Sequence, residues 1–106
     1  MLPKKFRLNK NEVTLVKENS FPIFSKTFTL LVKKSDNPKF GVIISNKFSK
    51  KAVVRNKIKR QIFEYIRKNF DLFNNNYYVF IPKPKMLEDD INFEKEIFYI
   101  INKSNN

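Results

Sequence analysis

The residues of this chain best equipped for chemistry are cations, and they are concentrated in one stretch. From Lys47 to Lys68 the sequence places Lys47, Lys50, Lys51, Arg55, Lys57, Lys59, Arg60, Arg67 and Lys68 against the single acid Glu64, which makes +8 of the chain's net +12. Ammonium and guanidinium groups at this density pair with phosphate, so the partner expected is a polyanion. The plain alternative is a solvated basic face. Solvated helices, however, intersperse acids at i, i+4 for support, and this stretch offers only Glu64.

Proton-transfer chemistry is poorly supplied. There is no His and no Cys, which removes the commonest general acid/base near neutral pH, thiol chemistry, disulfides and the usual zinc sites. A nuclease made of this protein alone would depend on carboxylates and a metal. Five of the ten acids, Glu88, Asp89, Asp90, Glu94 and Glu96, fall in one C-terminal stretch. A Glu-Asp-Asp run can hold Mg²⁺, but it reads better as a solvated loop leading into acids at a helix N-terminus.

The element that must position the cations is a helix. At 100° per residue, Val54, Ile58, Ile62, Tyr65 and Ile66 form an apolar stripe over about a third of the circumference, as expected of a helix packed on a core. Arg55 and Lys59 follow one border of the stripe, and Lys50, Lys57 and Lys68 line the other. Asn56, Arg60 and Arg67 lie near the back. Such a helix buries its stripe while presenting cations in two or three directions, which suits a protein wedged between two RNA segments.

A chain of 106 residues is expected to form one domain, with 42% apolar residues and twelve Phe to supply its core. No segment approaches the roughly 18 uninterrupted apolar residues of a membrane span, and no signal-peptide pattern opens the chain. With a pI near 10.0, these features favour a nucleic-acid partner over a membrane surface and a cytoplasmic location.

In chain order, residues 1–10 read as a basic irregular arm, with Lys4, Lys5 and Arg7 available to phosphate and Phe6 and Leu8 as pins to the body. Asn9 and Glu12 have capping-box spacing, which predicts a short helix from Lys10 to about Asn19. Ile23 to Lys34 reads as a strand, Lys34 to Pro38 as a turn, and Phe40 to Ser45 as the second strand of a hairpin. Gly41, the only glycine, marks a bulge or a close backbone approach there. Ser49 is the predicted N-cap of the basic helix, which should end near Asn69. The continuous apolar run Tyr77 to Ile81 predicts an interior strand. Phe93, Ile97, Ile100 and Ile101 predict a last amphipathic helix. The order is that of a single α+β, sandwich-like domain.

The sequence Lys51-Ala52-Val53-Val54-Arg55-Asn56-Lys57-Ile58-Lys59-Arg60 resembles the "RNR" helix motif of the bacterial ribonuclease P protein subunit, usually Ala-x-x-Arg-Asn-Arg-x-Lys-Arg. Gly41 to Lys47 is similar to that family's Gly-led strand and Lys-rich bend, Leu8 to Glu12 to its N-terminal region, and Tyr78 to Lys83 to its late strand. The resemblance spans most of the chain in the right order. It implies an αβββαβα fold with a left-handed β-α-β crossover, similar to a domain of a ribosomal protein; sequence rules alone predict the right-handed connection.

The resemblance also implies a function: the protein subunit of an endoribonuclease that removes the 5′ leader of precursor tRNA. Its partners would be the catalytic RNA and precursor tRNA, with no membrane or DNA. Mg²⁺ and the phosphodiester chemistry would belong mainly to the RNA, with no catalytic residue on the protein. Carried over by position, Arg55, Asn56 and Lys59 border the leader cleft, while Lys57 and Arg60 face the catalytic RNA, with Lys50, Lys51 and Arg67 as further RNA contacts. Thr29 and Leu31 match cleft-lining strand positions, and Val13 and Val16 stand on the first helix where the family often places stacking aromatics. Lys57 replaces the motif's second Arg, keeping charge without the bidentate fork. Phe63 stands where many members carry a basic residue; it either offers a displaced stacking surface or packs against a neighbouring loop. The alternatives to this family are a small ribosomal protein and a helix-type DNA-binding regulator, the latter disfavoured because strand-like residues precede the basic helix.

Overall fold

The first regular element forms because its end is closed locally. Asn9 Oδ1 accepts the Glu12 N–H at 2.8 Å and Glu12 Oε1 accepts the Asn9 N–H at 2.9 Å, a reciprocal capping box that starts α1, Lys10–Asn19. The computed structural model describes residues 2–105. After α1 come β1 (Phe21–Phe24), β2 (Phe28–Lys34), β3 (Lys39–Val42), α2 (Ala52–Lys68), β4 (Asn76–Pro82) and α3 (Phe93–Ser104). Short 3₁₀ turns lie at Lys4–Phe6, Phe70–Leu72 and Pro84–Leu87.

The strands form one mixed sheet in the order β1-β2-β4-β3. β2 is antiparallel to both β1 and β4, whereas β3 runs parallel to β4 with Phe40 opposite Tyr78 and Val42 opposite Phe80. Two expectations change here. The segment read as one strand from Ile23 folds as two, because Ser25 Oγ accepts the N–H groups of Thr27 and Phe28 and turns the chain. The β2–β3 hairpin does not exist, since β4 inserts between those strands. Only the βαβ unit β3-α2-β4 places the more apolar strand in the interior, where both of its edges are paired.

Strand alternation divides the sheet into two unlike faces. Phe28, Leu30, Phe40, Tyr78 and Phe80 point to one side and are fully buried beneath Ile58, Ile62, Phe63 and Ile66 of α2 and Ile97, Ile100 and Ile101 of α3. Aromatic rings knit this core: Phe40 stacks on Tyr78 with centroids 5.5 Å apart, and Phe73 meets both edge-on. The one polar tip among them is satisfied, because Tyr78 Oη accepts from the Asn74 N–H and Asn76 Nδ2. The arm is pinned as expected, with Phe6 against Phe70 at 4.8 Å and the Leu8 N–H donating to the Phe40 carbonyl.

The other face is covered only in part, by α1. Gly41 lies under this helix with an ordinary backbone, and a Cβ there would approach Leu8 Cδ1 and Val13 Cγ2 at 3.3 Å. The lone glycine therefore serves close packing of the arm and α1 on the sheet. Gly41→Val is expected to cost about 1–3 kcal/mol through overpacking, read as a lower urea midpoint. An unchanged midpoint would show that α1 has room to shift.

Candidate nucleic-acid interface

The basic helix meets the sheet at its β3 edge, and its two sides differ. Ile58, Ile62, Phe63 and Ile66 are buried, while Lys50, Lys51, Asn56, Lys57, Lys59, Arg60 and Arg67 are exposed and Arg55 is half-buried. Among the described residues, Lys50, Lys51, Lys57, Lys59 and Arg60 have no carboxylate partner. Arg67 is committed: its Nε and Nη2 donate to the two Glu64 oxygens at 3.2 and 3.0 Å. The Arg67 guanidinium is the first cause holding the Glu64 carboxyl down to about 2. Arg55 is partly used as well, since Nη1 donates to the Ser49 carbonyl at 2.8 Å and braces the bend before the helix. Ser49 is not the N-cap; that position is Lys51, whose N–H donates to Ser49 Oγ at 3.2 Å.

Beside the β3 edge a cleft of about 450 Å³ is lined by Lys4, Arg7, Val13, Lys39, Lys59 and Phe63, among others. It brings the arm, the first helix and the basic helix to one place, although they are distant in sequence. Arg7 Nε is buried there without a hydrogen-bond partner.

The polar floor of the cleft is held by Glu12. Its Oε2 accepts from Lys39 Nζ at 2.9 Å and from Tyr77 Oη at 3.3 Å, while Oε1 caps α1. Burial opposes its ionisation, but the bonds from the Asn9 N–H, Lys39 and Tyr77 outweigh that, and the carboxyl sits below its ordinary value. Spacing revealed the Asn9–Glu12 half of this arrangement. Lys39 and Tyr77 carried no signal, because only the parallel β3–β4 register, in which they are partners, brings them together.

Beyond α1 the second sheet face is open at one end. Phe24 lies opposite Thr29 and Thr29 opposite Ile81, so the three form an accessible row across β1, β2 and β4; in the next row Leu31 lies between exposed Pro22 and Val79, which is buried. Thr29 and Leu31 are half-buried and accessible in this face. Val13 is half-buried at the cleft, but two of the residues assigned to the leader cleft need correction as contact surfaces. Val16 is 0% exposed and Phe63 3% exposed. Val16 is consumed in seating α1 on the sheet, and Phe63 joins the core at the base of the cleft, with its ring unavailable as an open stacking platform. Phe24 was not among the expected site residues, and its place on this face follows from the β1–β2 register.

No group of three or more His, Cys, Asp or Glu able to hold a metal ion occurs among the described residues, and Glu88, Asp89 and Asp90 lie exposed in the loop before α3. No described helix is long and apolar enough to cross a membrane. β3 precedes α2 and a 3₁₀ turn and β4 follow it, so α2 has no partner helix of a helix-turn-helix pair.

A three-helix α+β protein that concentrates cations without carboxylate partners on one helix beside the sheet has the electrostatic footprint of a nucleic-acid-binding protein. The family model for ribonuclease P matches residues 2–103. The chain is 31% identical over 111 residues to the ribonuclease P protein component of Prochlorococcus marinus strain MIT 9515, covering 91% of this chain and 86% of that protein. The ribonuclease P protein from Thermotoga maritima superposes with a TM-score of 0.77 at 26% identity, covering 91% and 96%. A mutant of the Staphylococcus aureus protein shares the fold, with a TM-score of 0.86 at 19% identity over 96% and 90%. This chain belongs to the ribonuclease P protein family.

Because the depressed Glu12 carboxylate contributes stability while ionised, that contribution is present above the ordinary Glu value of 4.5 and is lost as pH falls through the lower folded-state value. Glu12→Gln is therefore expected to lower stability by about 1–2 kcal/mol at neutral pH, with the deficit shrinking in acid. Denaturant titrations at several pH values would check this; parallel pH profiles would remove the clamp.

Proposed function

We propose that this chain acts as the protein component of ribonuclease P, binding the catalytic RNA and the 5′ leader of precursor tRNA. In that role it assists the endonucleolytic removal of the leader that yields the mature tRNA 5′ end. Family membership supports the coarse statement, a subunit of an endoribonuclease complex that works with RNA. The observation that carries the finer one is the position of α2. The helix stands at the sheet edge with Lys59 in the cleft beside the open face, while Lys57 and Arg60 are exposed on other parts of its surface.

In this reading the leader crosses the open face past Thr29 and Leu31. Its phosphates are held by Lys59, with Arg55 at the bend, and Asn56 is free to meet a base edge or a 2′-hydroxyl. Lys50, Lys51, Lys57 and Arg60 dock the catalytic RNA by sequence-independent phosphate pairing, which is salt-sensitive. Mg²⁺, which would neutralise phosphate charge and activate the attacking water, is assigned to the RNA and substrate. The cytoplasm is the compartment this role implies.

Reconstitution with the RNA subunit from the same cell tests the proposal. Protein alone should not cleave precursor tRNA, and adding it should lower the Mg²⁺ requirement of the RNA; cleavage by repurified RNA-free protein would overturn the division of labour. Arg60→Ala should weaken binding to the RNA subunit and reduce the slope of log affinity against log salt by about 0.7–0.9. Thr29→Val should weaken only precursor binding. Identical effects of the two substitutions would refute separate RNA and leader sides.

A further inference from the structure

At the β1 edge, the far side of the sheet from α2, a second groove of about 410 Å³ lies between the β1–β2 turn and α3. Two aromatic rings stand exposed at it, Phe24 and Tyr99, each 54% accessible. Lys26, Lys95 and Lys103 line it with a single carboxylate, Glu96. That carboxylate is occupied, accepting from Thr27 Oγ1 at 2.8 Å with Lys26 Nζ at 3.9 Å.

The groove is held open by its own bonds. Lys103 Nζ donates to the Phe24 carbonyl at 2.7 Å, joining α3 to β1, and Lys83 Nζ donates to the Ser25 carbonyl at 2.6 Å. The same ammonium groups lie 6.0 Å from the Tyr99 ring centroid and 5.5 Å from that of Phe24. Rings exposed among lysines, with the local acid already spent, suit unpaired bases linked by phosphates. An apolar peptide would leave the lysines unmatched.

Phe24 also belongs to the sheet row that continues through Thr29 and Ile81. The accessible row of the sheet face therefore meets the groove at Phe24, on the β1 edge. We propose that this groove is a second single-stranded RNA site, taking leader nucleotides upstream of those on the sheet, with bases stacked on Phe24 and Tyr99 and a phosphate paired with Lys95. The direction follows from the proposed docking: with the catalytic RNA on the motif residues of α2, a strand reaching the far β1 edge runs away from it. This inference rests on the leader lying on the open sheet face.

The test uses the reconstituted holoenzyme and precursor tRNAs with no leader, a leader of roughly 4 nucleotides and one of roughly 16, the span of single-strand site sizes. Affinity is read by fluorescence anisotropy. The wild type should bind more tightly with each lengthening. Tyr99→Ala should keep the gain from the short leader and lose about 5- to 10-fold of the gain from the long one, the lower end of one stacked base. Tyr99→Phe, which keeps the ring, should behave as wild type. Lys95→Ala should lower the salt dependence of the long-leader gain alone. If Tyr99→Ala retains the full gain, or weakens short and long leaders equally, the groove is not a leader site and the sheet reading stands. If wild type gains nothing from any leader, the sheet reading and the groove fall together.

Discussion

Everything in this protein depends on one helix being apolar on one side and cationic on the rest. Burying Ile58, Ile62, Phe63 and Ile66 of α2 contributes about 1.5–3 kcal/mol for each side chain. Like charges at i, i+4, such as Lys51 with Arg55 and Arg55 with Lys59, cost only about 0.2–0.5 kcal/mol per pair in water. Burial wins by a wide margin, so the fold tolerates a surface that repels itself. Phosphate relieves that repulsion, which is why the same helix that anchors the core is the first place to look for RNA.

The second constraint is the asymmetry of the sheet. Two helices seal one face, and a single ten-residue helix covers part of the other. Gly41 lets α1 and the arm come close, and Glu12 fixes them by joining the cap of α1 to Lys39 on β3 and Tyr77 on β4. α1 crosses from Lys39 and Gly41 on β3 over β4 towards β2, so Val79 is buried while the row Phe24, Thr29 and Ile81 stays accessible. A sheet covered on both faces would leave the cations of α2 without a neighbouring surface for bases. The half-open face and the basic helix thus stand side by side, which is what the proposed leader path requires.

Much of this was legible in the sequence wherever the signal was local. The Asn9–Glu12 box set the start of α1, the Val54 to Ile66 periodicity set α2, and the Ile97, Ile100 and Ile101 spacing set α3. The continuous apolar run Tyr77 to Ile81 marked the interior strand correctly. The failures were of another kind. Phe63 stayed open between stacking and packing because a wheel does not say how wide the buried arc is, and α2 packs deeply enough to take it in. Val16 looked like a cleft residue because its position on α1 was right, while its direction, into the sheet, depends on the seating of the helix. β3 looked like a hairpin partner of β2 because the two are adjacent in sequence and a short turn separates them.

By itself, then, the sequence determined the charge, the apolar stripes, the helix ends and the family, since each is written in residue types over a few turns of chain. Only the tertiary structure decided which strands are neighbours, and with them which side chains share a face. Strand pairing is set by long-range packing, and the parallel β3–β4 pair exists because α2 carries the chain back across the sheet to bury its stripe. From that pairing follow the Lys39–Glu12–Tyr77 clamp, the cleft that brings Lys4, Arg7 and Lys59 together, and the row that places Phe24 beside Thr29.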